Sequence, residues 1–121
     1  MNYESTVKKK SKAIPGVEYT IRKISFMRRL ELSQEIRAIA GQLEFSQAGT
    51  SFSDQVDASI LSLEVDRTYL KWGLVHVDGL NIDGQPAVPE SLIDHGPENL
   101  CHEISQAIRS ECGLTEEERK N

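Results

Sequence analysis

The chain has 121 residues and a formal net charge of −5, a length that suits one domain of ordinary size. Aromatic residues make up 6%, too few for a surface that stacks the bases of single-stranded nucleic acid. Nine basic and four acidic residues give residues 1–40 a charge of +5, whereas five basic and fifteen acidic residues give residues 41–121 a charge of −10. Because an acidic surface repels phosphate, only the N-terminal third could bind a polyanion.

The N-terminal part of the chain divides at a Pro-Gly turn. Residues 1–13 are polar and lysine-rich without periodicity, which predicts a disordered basic arm in front of a single domain over residues 14–113. Pro15 and Gly16 indicate the turn. Residues 17–22 then alternate between apolar and polar side chains, the pattern of a half-buried strand.

Two helices are predicted next. Ser25 can cap a helix over about 26–45, whose apolar residues recur at helical spacing. Ser53 or Asp54 can cap a second helix over about 54–72. The second helix is apolar over a wide arc, so we expect it to be the central element, contacted on two sides.

A strand and a hairpin follow the second helix. Gly73 is expected to end that helix in the left-handed conformation. Residues 74–82 predict a strand, and Asp83-Gly84 is a strong two-residue hairpin turn into a short return strand over residues 85–88.

Gly79, inside the strand predicted over residues 74–82, indicates a β-bulge. The part of the chain after this strand and its hairpin is predicted to be helical. Pro89 begins a short helix that ends at His95, and a longer helix covers about 97–112. Residues 114–121 are predicted to form a flexible acidic tail. The expected fold is therefore α+β, a mostly helical single domain with a small antiparallel β-sheet and hairpin.

Cysteine and histidine residues are the candidates for catalytic or metal-binding groups. Cys101 and Cys112 lie roughly 16 Å apart along the predicted helix, too far for a disulfide, and two free thiols fit a reducing cytoplasm. Cys101 and His102 point about 100° apart on a helix, which disfavours a shared metal ion or a nucleophile–base pair. No catalytic, metal or cofactor site is predicted, and no cofactor. A small thiol enzyme is nevertheless one hypothesis for the function, and it requires a reactive Cys101 with a lowered pKa.

The distribution of apolar residues also bears on the cellular location and on possible partners. No stretch has the apolar length of a membrane span, and no apolar region follows the N-terminal lysines as in a signal peptide, so we expect a cytoplasmic protein without a membrane partner. A thin core leaves Phe26, Phe45 and Phe52 as candidates for contact with a protein partner, although core membership is the default for such residues.

Residues 71–100 carry a family resemblance. They contain Trp-Gly-Leu-Val at 72–75 and Gly-Leu-Asn-Ile-Asp-Gly-Gln-Pro-Ala at 79–87. Together with the ending at 113–121, this segment resembles the tail assembly chaperones of long-tailed bacteriophages and prophages. The similarity extends over about 14–121 and leaves the basic arm outside it.

The resemblance implies a non-catalytic interaction protein of the host-cell cytoplasm that is absent from the mature virion. Such chaperones bind the long, hydrophobic tape-measure protein, keep it soluble and bring tail-tube subunits to it. Many are made in two lengths by programmed frameshifting, and Lys120-Asn121 can be encoded by an adenine-rich slippery run. Coating a long partner would also suit a homo-oligomer, although no residue fixes a symmetry.

The partner-binding face is then expected on the two long helices, as a groove or face for an amphipathic helix. The predicted partner-binding residues are Phe26, Leu30, Leu43, Phe45, Phe52, Leu61, Val65 and Tyr69. The alternative function is a nucleic-acid-associated phage or bacterial factor that uses the lysines of the arm, Lys8, Lys9, Lys10 and Lys12.

Overall fold

A computed structural model of the protein describes residues 1–113, which form the predicted α+β architecture. The strands are β1 (Thr6–Lys10), β2 (Glu18–Arg22), β3 (Leu74–Asp78), β4 (Asn81–Ile82) and β5 (Gln85–Pro86). The helices are α1 (Phe26–Ala48), α2 (Phe52–Gly73), α3 (Pro89–His95) and α4 (Glu98–Glu111). The predicted acidic tail at 114–121 lies outside the described residues.

Strand β1 shows that the prediction of a disordered arm is wrong for Thr6–Lys10. This segment pairs antiparallel with β2 along its whole length, and Val7 packs against the core. The arm looks like a solvated tail in the sequence because it has few apolar residues. Pairing with a neighbour satisfies its backbone groups all the same, and lysines are common on edge strands.

The three-stranded sheet has the order β1-β2-β3, and its central strand β2 pairs antiparallel with both neighbours. Its irregularity lies between Thr20 and Ile21, so the predicted bulge at Gly79 is wrong. Gly79 instead ends the strand with φ of 81°, and a Cβ atom there would collide with the carbonyl oxygen of Gly16. Glycine is required at this position for both reasons.

The second sheet is the small hairpin of β4 and β5. Asp83 and Gly84 both have positive φ, at 52° and 81°, as the mirror-image hairpin turn requires, so this turn is confirmed. The strand predicted over 74–82 is interrupted between β3 and β4, because the chain leaves the main sheet there to make the hairpin.

Helices α1 and α2 form a helical hairpin around a short loop at 49–51. Ser25 caps α1 as predicted, since its hydroxyl accepts a hydrogen bond from the backbone N–H of Arg28 at 3.1 Å. The caps predicted for α2 are wrong: Ser51 accepts from the Asp54 N–H at 3.1 Å, and its hydroxyl donates to the Asp54 carboxylate at 2.7 Å.

Helix α2 is the central element, as its wide apolar arc predicts, and it contacts α1, α3, α4 and the sheet. It ends at Gly73, whose φ is not positive, so the expected left-handed cap is wrong. A Cβ atom on Gly73 would lie 2.8 Å from the Ile108 side chain. Glycine here allows α4 to pack closely against the end of α2.

The core lies where the sheet, α3, α4 and the C-terminal half of α2 meet. Its fully buried members include Ile21, Leu92, Leu100, Ile104 and Ile108. The far half of the helical hairpin, residues 38–64, projects from this base, and Ser46 is its one buried residue. Within residues 1–113, no helix has the combination of length and apolarity needed to cross a bilayer.

Candidate partner-binding surface

The far half of the helical hairpin exposes large apolar side chains. Phe45 and Phe52, on either side of the 49–51 loop, are 81% and 79% exposed. Val56, Ile60 and Leu63 continue from Phe52 along α2 at helical spacing and are exposed as well. A cluster of this kind on a projecting element is a candidate for contact with another molecule.

A groove of about 730 Å³ runs between the two helices in this region. We call it the tip groove, and its walls include Ala38, Gly41 and Phe45 of α1 and Asp57, Ile60 and Leu61 of α2. Ala38 and Gly41 contribute little side-chain bulk on the α1 side. The groove is open and mostly apolar.

The tip is also strongly acidic. Residues 38–64 contain four acidic residues and neither lysine nor arginine. Asp54 and Asp57 line the tip groove itself. Among residues 1–113, Asp57 belongs to none of the ion pairs. The groove therefore combines apolar surface with uncompensated negative charge.

A second apolar area lies at the other end of α1. Phe26, Met27 and Leu30 are 92%, 60% and 55% exposed, and we call them the base patch. Arg28 and Arg29 adjoin it, and Arg28 forms an ion pair with Glu31 at 2.9 Å. The tip groove thus adjoins acidic side chains, and the base patch adjoins basic ones.

The eight predicted partner-binding residues divide into three groups. Phe26, Leu30, Phe45 and Phe52 are exposed, and Leu43 and Leu61 are half-buried. Val65 and Tyr69 are only 7% and 3% exposed, so their assignment to the partner-binding surface is wrong. Both lie in the half of α2 that the rest of the domain covers, and the Arg109 guanidinium lies 4.9 Å from the centre of the Tyr69 ring.

Sequence reasoning missed Met27, Val56, Ile60 and Leu63 as surface residues. The row through Val56, Ile60 and Leu63 begins at Phe52, which lies before the predicted start of the helix. Beginning the helix at Phe52 shows one continuous apolar row about three turns long.

A polar cluster joins α2 to α4 around Asp66. The Asp66 carboxylate accepts hydrogen bonds from the Ser105 hydroxyl at 2.7 Å and from the Arg109 guanidinium at 3.0 Å. Nδ1 of His102 lies 3.5 Å from the same carboxylate. In a catalytic triad the histidine stands between serine and aspartate, whereas here serine and histidine both face the aspartate. The Ser105 side chain is also fully buried, so this cluster holds two helices together.

The two thiols lack the environment of reactive cysteines. Burial raises the pKa of the half-buried Cys101 thiol, which donates a hydrogen bond to the Leu92 carbonyl at 3.4 Å. Burial also raises the pKa of Cys112 to about 11. A reactive thiol needs a shift in the opposite direction. Within the described part of the chain, no three metal-ligating side chains come together.

The lysines of the N-terminal strand are partly neutralised by carboxylates of the same chain. Lys8 lies 3.1 Å from Glu18 and 3.3 Å from Asp78, and hydrogen bonds to these carboxylates raise its pKa. Lys9 lies 3.3 Å from Glu111. These pairs leave less positive charge available to phosphate than the sequence suggests.

Comparison of the chain with protein-family models, with curated proteins and with solved structures finds no match. The tip surface, with its apolar side chains and acidic charge, is the best-defined candidate for function among the described residues. The Asp66 cluster and the two thiols are accounted for by packing.

Proposed function

We propose that this protein is a non-catalytic assembly chaperone of the phage-tail type. It binds the long, apolar tape-measure protein, keeps it soluble and helps to recruit tail-tube subunits. The observation that supports this most is the row of exposed apolar residues on a projecting helical hairpin, from Phe45 and Phe52 at the tip to Leu63. An amphipathic helix of a partner can cover such a row.

The expected strength of this contact suits a chaperone. Covering five partly exposed apolar side chains contributes roughly 1–2 kcal/mol each. Association itself costs an estimated 4–15 kcal/mol, so a single copy binds weakly and reversibly. A long partner is then held by many copies bound along its length, and each copy can leave when the tail tube replaces it.

The most distinctive part of the sequence resemblance and the tip surface lie in different parts of the chain. The segment 71–100 forms the end of α2, β3, the hairpin of β4 and β5, α3 and the start of α4, which belong to the base of the molecule. The weaker similarity over about 14–121 includes the tip. The exposure of the apolar side chains at the tip is a structural observation that adds to the resemblance.

The proposal includes a place and a gene arrangement. The protein acts in the host cytoplasm and is released before the virion matures. Reading the neighbouring genes checks this point: we expect a tail-tube gene upstream and a very long tape-measure gene downstream.

Coexpression tests the proposed function directly. The protein is expressed with the tape-measure protein of the same gene cluster, and the soluble fraction of the tape-measure protein is measured. We expect the triple variant Phe45→Ser, Phe52→Ser, Ile60→Ser to lose most of the solubilisation, because it removes three of the five exposed apolar side chains and none of the buried core. Val88→Ser is the control, since Val88 is 50% exposed but lies outside the helical hairpin of α1 and α2. A folded triple variant that solubilises as well as the wild type would contradict the proposal.

A further inference from the structure

The tip groove has the size of a short helical docking site. Its α1 wall runs from Ala38 to Ser46, about 12 Å along the helix, and its α2 wall from Asp54 to Leu61, about 10 Å. A bound helix with apolar anchors at positions i, i+4 and i+7 needs about 10 Å. Two helical turns of a partner therefore match the tip groove.

The charge of the groove selects the kind of helix. Asp54 and Asp57 line it, and residues 38–64 supply no basic side chain. Asp54 already accepts a hydrogen bond from Ser51, whereas Asp57 has no ion pair among the described residues. Lysine or arginine flanking an apolar face would complement this pattern, and acidic residues would be repelled.

Gly41 is a third observation that points to an occupant. It lies in the middle of α1, where glycine costs about 1 kcal/mol relative to alanine. A Cβ atom built on Gly41 meets nothing within 4 Å, so the described fold has room for a side chain at this position. The residue lines the tip groove, where the lack of a side chain lets a partner backbone come close.

From these observations we infer that the tip groove binds a cationic amphipathic helix, with its apolar face on Phe45, Ile60 and Leu61 and its basic residues beside Asp57. The inference rests on the proposed function and names the kind of partner segment that the chaperone recognises. A second copy of the chain is the competing occupant, because the base patch is apolar and adjoins Arg28 and Arg29.

A titration with synthetic peptides tests the inference. The probe is a fluorescently labelled helical peptide of leucine and lysine with one apolar face, and its counterpart carries glutamate in place of lysine. Anisotropy gives Kd for the full chain at several salt concentrations. We expect the lysine peptide to bind at least about tenfold more tightly than the glutamate peptide, with a difference that shrinks as salt rises.

Two variants with matched controls locate the binding site. Gly41→Leu fills the groove without removing a contact, and we expect it to weaken peptide binding at least about tenfold while the melting temperature rises. Ser33→Leu adds the same side chain at an exposed position nearer the base and should bind like the wild type. Asp57→Lys should weaken binding severalfold, whereas Glu35→Lys, the same charge change outside the groove, should not.

Three results would overturn the inference. One is unchanged peptide binding by Gly41→Leu. Another is an equal loss of affinity in Asp57→Lys and Glu35→Lys, which would mean general charge attraction. The third is self-association in sedimentation experiments that both Gly41→Leu and Phe26→Ser abolish, because a second copy would then occupy the groove.

Coexpression separates this inference from the proposed function. If Gly41→Leu still solubilises the tape-measure protein and the triple tip variant does not, the groove inference fails and the proposed function stands. If the wild-type chain fails to solubilise the tape-measure protein, the proposed function fails, and the peptide titration still decides what the groove binds.

Discussion

The base and the tip of the molecule are built in opposite ways. At the base, Leu92, Leu100 and Ile104 are fully buried between the sheet and the surrounding helices. At the tip, residues 38–64 have only Ser46 buried, and their large apolar side chains lie on the surface. Stability therefore depends mainly on the base, while the tip is free to serve binding. The two can be altered separately by mutation.

Truncating a core side chain should give the largest change in unfolding free energy. Ile104→Ala removes a fully buried side chain at the base and should cost about 2–5 kcal/mol of unfolding free energy. Ile60→Ala removes a side chain of the same kind that is 50% exposed at the tip, and it should cost less than about 1 kcal/mol. Urea denaturation of the two variants measures both values. Equal losses would show that the tip supports the fold as much as the base does.

Two glycines should respond in opposite directions to the same change. Gly73→Ala places a methyl group against Ile108 and should destabilise the protein by about 1–3 kcal/mol. Gly41→Ala meets open space in a helix interior and should stabilise it by up to about 1 kcal/mol. Thermal unfolding followed by circular dichroism gives both shifts. A loss of stability in Gly41→Ala would mean that the tip is packed more tightly than described.

A smaller effect of pH is expected at the base. Partial burial raises the pKa of the Glu103 carboxyl, but hydrogen bonds from the Ser11 hydroxyl and from the Lys12 and Ala13 N–H groups outweigh it and leave the pKa lowered. A lowered folded-state pKa means that the unfolded chain takes up the proton first. The contribution to stability is complete above the ordinary value of 4.5 and is lost as pH falls through the lower folded value.

Urea midpoints between about pH 6 and pH 3 check this effect. The protection of the Lys12 and Ala13 amides, taken relative to the intrinsic exchange rate at each pH, should fall over the same interval, because both amides donate to Glu103. Glu103→Gln is the control and should flatten this part of the pH dependence. An unchanged profile in Glu103→Gln would assign the acid sensitivity to other carboxylates.

The parts of the fold that the sequence predicts well are decided locally. Ser25 caps α1, Pro89 and His95 bound α3, and Asp83-Gly84 makes the hairpin turn, each as expected. Caps, prolines and positive-φ turns depend on a few neighbouring residues, so a single sequence is enough to place them.

The errors concern contacts between distant parts of the chain. Strand β1 forms because β2 is present to pair with it, and its lysine-rich sequence gives little sign of this. Val65 and Tyr69 are buried although they are predicted as surface residues, because the periodicity of a helix shows its apolar rows but neighbouring elements decide which row is covered. The tip groove lies between two helices, so neither sequence alone reveals it.

We expect a partner to bind at the tip and to leave the lysine-rich strand β1 uncontacted. Hydrogen exchange measured by mass spectrometry tests it most directly, on the full chain alone and in complex with the tape-measure protein of the same gene cluster. The account predicts new protection within residues 38–64 and unchanged exchange in Thr6–Lys10. Protection confined to Thr6–Lys10, with the tip exchanging as in the free chain, would contradict it.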